Sequence, residues 1–135
     1  MKLAALVLAI VVVLIVFAVR RSLPASAAPI KAPTAFVFVR IPEQIMPMDR
    51  GAKYEDPLDA SLKREGLGEV TGGGTQLGKP DANGKKSIEW VGVDVELSDI
   101  EDGLTFLKAE LRHLGAPSGT TLEFTRNGET VTERL

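Results

Sequence analysis

At 135 residues, 44% hydrophobic and 25% charged, the chain has the composition of a globular protein and room for one domain behind a terminal segment, but not for two. It contains no Cys, which excludes disulfides, thiolate zinc sites and thiol nucleophiles. Four of its 16 basic residues (Lys2, Arg20, Arg21 and Lys31) precede residue 35, leaving 12 basic against 18 acidic residues beyond it; such an acidic part has no counterion-release affinity for phosphate backbones, so no nucleic-acid partner is expected.

Residues 1-21 read as a membrane segment. Leu3 to Val19, LAALVLAIVVVLIVFAV, is an unbroken apolar run, and as a helix it would be about 25 Å long against roughly 30 Å of bilayer hydrocarbon. A helix buried in so small a domain would show a polar face, and this run has none. The expectation is a single-pass anchor in a bacterial inner (plasma) membrane. The alternative is a signal peptide cleaved after Ala27, for which Ala25-Ser26-Ala27 offers small residues, and which would make the domain periplasmic or secreted. Retention is favoured by the length of the run and by Arg20-Arg21 directly behind it. The basic excess trails the run, which leans the domain toward the cytoplasm by the positive-inside tendency. Residues 22-34, rich in Ala, Pro and Ser, form an extended linker.

Residues 35-135 alternate strand and helix signals. AFVFVRI over Ala35 to Ile41 is β-branched and aromatic and stops at Pro42, predicting a first strand. Glu43 to Lys53, with Pro47, Asp49 and Gly51, predicts an irregular connection. Asp56-Pro57 predicts an N-cap and first helical position, Leu58 and Leu62 share a buried face, and Gly66 ends the helix with Leu67 folding back. Gly68 to Leu77 reads as a strand bulged at Gly72-Gly73-Gly74. A phosphate-cradling loop is the weaker reading, because the glycines do not run into a helix N-terminus. After a polar turn over Gly78 to Ser87, Ile88 to Leu97 alternates cleanly: Val91, Val93, Val95 and Leu97 on one face, Trp90, Gly92, Asp94 and Glu96 on the other.

Ser98 and Glu101 predict a capping box, and Ile100, Leu104, Leu107, Leu111 and Leu114 form one apolar stripe ended by Gly115 and Pro117. Thr121 to Thr125 is the last strand of the core pattern, and Asn127-Gly128 is a hairpin turn able to add a short edge strand over Glu129 to Glu133. Strand, helix, strand, strand, helix, strand is the split βαβ order of an α+β, ferredoxin-like sandwich: a four-stranded antiparallel sheet with two helices on one face, the first and third strands central.

That arrangement puts Val37, Val39 and Ile41 beside Val91, Val93 and Val95 under the helices, and leaves Phe36, Phe38 and Arg40 with Trp90, Asp94 and Glu96 on the open face. Catalytic readings are weak. His113, the single His, suits a helix C-terminus, and Asp94 and Glu96 read as a solvated pair with Arg40 across the ladder rather than an acid–base or metal site. No metal, cofactor or catalytic residue is expected. Base stacking on the aromatics is opposed by Asp94 and Glu96, whereas aromatic anchors in a charged rim suit a protein surface.

The segments KYEDPLD, GLGEVTGGGTQL and LGAPSGT resemble small bacterial proteins of unassigned role over residues 35 to about 125. The resemblance implies the ferredoxin-like fold and a bacterial origin and brings no catalytic residues. The chain therefore reads as a membrane-tethered, non-enzymatic interaction module. Its open sheet face, with candidate residues Phe36, Phe38, Arg40, Trp90, Asp94 and Glu96, would take an unknown protein partner or a second copy. The alternative is a small-ligand sensor or carboxylate-based enzyme using the loop 42-53 and Gly72 to Gly74.

Overall fold

A computed structural model describes residues 34-135. The anchor or signal segment expected at 1-21 and nearly all of the linker at 22-34 lie outside the described residues. No helix among the described residues is long and apolar enough to cross a membrane.

The domain is α+β. Strand β1 spans Ala35–Ile41, β2 Gly68–Leu77, β3 Ile88–Leu97, β4 Thr121–Arg126 and β5 Glu129–Arg134, in one antiparallel sheet ordered β2-β3-β1-β4-β5. The central pair is set by matched alternation. Val37 faces Val95, Val39 faces Val93 and Ile41 faces Val91, so a slip of one residue would turn every valine to solvent. The expected four-stranded sheet is corrected to five strands. Asn127 and Gly128 take φ of 53° and 81°, the positive values a tight two-residue hairpin needs, and β5 then pairs with β4 over its whole length, Thr121 with Arg134 through Arg126 with Glu129.

The connection after β1 also differs from expectation. It is helical: α1 covers Pro47–Arg50, a π-helical turn follows over Gly51–Glu55, and α2 continues over Asp56–Glu65. Asp56 is not an N-cap, because both Glu55 and Asp56 already have right-handed helical dihedrals and the Asp56 N–H bonds back to Gly51 O. The physical reason is Pro57. A proline inside a running helix removes one hydrogen bond and crowds the carbonyl four residues back, and a widened turn just before it relieves both. Tyr54, Leu58 and Leu62 all become fully buried on the sheet-facing side. Gly66 ends α2 at φ 67°, and the Leu67 N–H reaches Leu62 O at 3.0 Å, as the sequence implied.

Helix α3, Ile100–His113, buries Leu104, Leu107 and Leu111 against the same sheet face. Its cap is Asp99, whose side chain accepts from the Asp102 N–H at 2.9 Å, and this corrects the expected capping role of Ser98. Ser98 is engaged otherwise: its hydroxyl donates to Gly66 O and its N–H to Leu67 O, tying the end of β3 to the end of α2. The core thus lies between one sheet face and the helices, and no helix among the described residues packs on the other face.

Candidate interaction surface

The open face is a grid fixed by strand register. Across β3, β1 and β4, Asp94, Phe38 and Glu123 form one row, and Gly92, Arg40 and Thr121 the next. Glu96 stands opposite Phe36, and Glu69 of β2 beyond Glu96. All six residues expected on this face, Phe36, Phe38, Arg40, Trp90, Asp94 and Glu96, are brought together on it.

Three of them form a cluster. The rings of Phe38 and Trp90 meet edge to face with centroids 5.9 Å apart, and the Arg40 guanidinium lies 4.8 Å from the Trp90 centroid. The Arg40–carboxylate pair expected across the ladder is therefore replaced by a cation–π contact, because register places Gly92, not an acid, opposite Arg40. Gly92 is what permits the packing. A Cβ there would come within 2.7 Å of the Phe38 ring and 3.5 Å of Trp90, so the ring occupies the volume a side chain would take. The glycine is buried, while Phe38 and Trp90 are half-buried. Phe36 stands apart from that cluster with 53% of its surface exposed.

Beside Phe36 the sheet opens. The β1–β4 ladder runs from Arg40–Thr121 to Val37–Phe124 and stops, so Ala35 and Phe36 continue along β3 without a β4 partner. A notch of about 380 Å³ results, lined by Thr34, Ala35, Phe36, Glu123, Phe124, Thr125 and Thr130. The alternation of TLEFTR already points Glu123 and Thr125 to the open side, a signal that adds both to the six residues expected there. The break in the ladder left no signal in the residues.

The second expected cleft, between residues 42-53 and the glycine stretch, is occupied by protein. Arg50 pairs with Glu55 through Nε, and its Nη1 donates to the Thr75 hydroxyl at 2.9 Å. A Cβ on Gly73 would sit 2.2 Å from Glu55 Oε1 and 2.9 Å from Gly92 O, so this glycine serves the close approach of the ion pair to the bulged strand. The bulge expected at Gly72 to Gly74 is corrected to the position before them: the register shifts between Val70 and Gly72, and Gly72, Gly73 and Gly74 pair regularly with Asp94, Val93 and Gly92. A shallow acidic hollow of about 270 Å³ between Glu55, Asp56, Asp59 and Gly72 remains. Asp59 is engaged there, accepting from the Val70 N–H and from Lys63.

Behind the helical connection, Glu43 accepts from the Tyr54 hydroxyl and the Lys53 ammonium, both at 2.5 Å. Burial alone pushes the Glu43 carboxyl up, but the hydrogen bonds from Lys53 and Tyr54 and the Lys53 charge outweigh it and hold the carboxyl below its ordinary value. Burial, then the hydrogen bond to Glu43, pushes the Tyr54 hydroxyl up to about 12. Pro47, Asp49 and Gly51 are loop signals, so nothing in the local pattern of Glu43 to Lys53 signals this trio.

His113 is the exposed last residue of α3. Among the described residues no three His, Cys, Asp or Glu side chains are grouped as a metal site would need. The chain matches no known family model, no curated protein and no solved structure.

Proposed function

We propose that this protein is a membrane-tethered, non-enzymatic interaction module of ferredoxin-like architecture that docks a protein partner on its open sheet face. The observation that carries the reading is the aromatic platform: Phe38, Trp90 and Arg40 packed over Gly92, with Phe36 largely exposed beside them. Rings held in place by packing lose little entropy on binding, and a charged rim of Asp94, Glu96 and Glu123 suits a protein interface. The strand order β2-β3-β1-β4 with helices on one face supports the ferredoxin-like description, β5 being an addition at the edge. Leu3 to Val19 is the tether, in a bacterial inner membrane with the domain on the cytoplasmic side.

The ligand-sensor reading is less favoured, because Arg50, Glu55 and Thr75 fill the approach to the glycine stretch. The test of docking is recovery of partners from solubilised membranes by the full chain and by a Trp90→Ser, Phe38→Ser double variant of unchanged circular dichroism. Docking predicts partners lost from the variant; equal recovery would sink the reading. A C-terminal alkaline phosphatase fusion, active only after export, tests the side: an inactive fusion fits the cytoplasmic placement, an active one refutes it.

A further inference from the structure

We propose that the notch between β1 and β4 is the specificity pocket of that surface, taking an arginine or lysine side chain from an extended segment of a basic partner protein. The inference rests on the docking role proposed for the sheet face and adds the chemistry of what docks.

Four features of the notch agree on a cation. The Phe36 ring forms one wall, and an exposed aromatic face attracts a guanidinium or ammonium. Glu123 lines the notch and supplies a carboxylate to it. Thr34, Thr125 and Thr130 bring hydroxyls able to accept the remaining N–H groups. About 380 Å³ suits one long side chain rather than a folded element. The surroundings add to this: Asp94, Glu96 and Glu69 share the open face with Glu123, against Arg40 and Arg134. Arg40 is already stacked on Trp90.

The same charge balance argues against a second copy as occupant. Residues beyond 34 carry 18 acidic and 12 basic side chains, so two such domains repel, whereas a basic partner is drawn in. An extended partner segment also fits the place, because the outer sides of Ala35 and Phe36, which β4 leaves unpaired, border the notch.

The experiment selects random dodecapeptides displayed on phage against the full chain in lipid nanodiscs, then measures the selected peptides, as synthetic labelled peptides, by fluorescence anisotropy. The expected peptides carry Arg or Lys among β-branched residues. Glu123→Gln should weaken them about tenfold or more, the scale of one charge-assisted contact, while Glu65→Gln on the surface of α2 leaves them unchanged. Binding should fall as salt is raised. Peptides without basic residues that still require Phe38 and Trp90 would overturn the pocket while leaving the docking face standing. Peptides that bind the Trp90→Ser, Phe38→Ser variant as well as the native chain would overturn both. Self-association of the chain that disappears in Glu123→Gln would assign the notch to a second copy and overturn the basic partner.

Discussion

Replacing Tyr54 with Phe isolates one hydrogen bond in the trio that holds the helical connection to the end of β1. Tyr54 is fully buried and its hydroxyl donates to Glu43 Oε2 at 2.5 Å. Phe keeps the ring and leaves no cavity, so the cost is the hydrogen bond alone. Bonds to charged groups contribute about 1.5–3 kcal/mol, and the lower end applies here because Glu43 keeps Lys53 and is partly open to water. About 1.5 kcal/mol corresponds to a fall in Tm of roughly 6–10 °C for a domain of this size. Tyr54→Ala adds the loss of the ring and should cost about 3–5 kcal/mol in all. Urea and thermal unfolding of the full chain, followed by fluorescence of Trp90, the single Trp, measure both. A shift below about 2 °C for Tyr54→Phe, or equal effects of Phe and Ala, would refute the assignment of that bond.

The same trio sets a pH dependence. Glu43 has its carboxyl lowered in the fold, so its contribution is complete above its ordinary value of 4.5 and disappears as pH falls through the lower folded value; Glu43→Gln should flatten the acid limb of a stability–pH curve. Tyr54 is raised from 10.0 to about 12, so its contribution holds below pH 10 and is lost as pH rises toward 12, a loss that Tyr54→Phe should remove from alkaline titrations. Gly73→Ala should destabilise by about 1–3 kcal/mol through overpacking against Glu55 and the Gly92 carbonyl, whereas Gly74→Ala, with open space at its Cβ, should be near neutral in the same melts. Asp99→Ala should cost about 1 kcal/mol as the loss of an N-cap; an equal loss of helix content in Ser98→Ala by circular dichroism would contradict the cap.

The strands were legible where alternation is two-sided. Val37 to Ile41 and Val91 to Leu97 must face one core, so their boundaries, their pairing and the residues on the opposite face follow from pattern alone. The helical connection was not legible, because Pro47, Asp49 and Gly51 are locally loop signals and Asp56-Pro57 locally signals a helix start, and only the burial of Tyr54 with Leu58 and Leu62 makes a π-widened helix favourable. The cap of α3 was misplaced by one residue for a related reason: both Ser98 and Asp99 can cap, and the tertiary bonds of Ser98 to Gly66 and Leu67 decide between them. The aromatic platform was half legible. Alternation put Phe38 and Trp90 on one face, but the role of Gly92 beneath them and the notch beside Phe36 depend on register and on where a ladder stops.

The proposed docking role of the open face is tested most directly by a photo-crosslinking amino acid placed at Phe36, and separately at Ala109 on the exposed surface of α3, in the full chain expressed in cells. The account predicts a discrete protein adduct on irradiation from position 36 and none from position 109. Adducts from position 109 alone, or none from either, would contradict it.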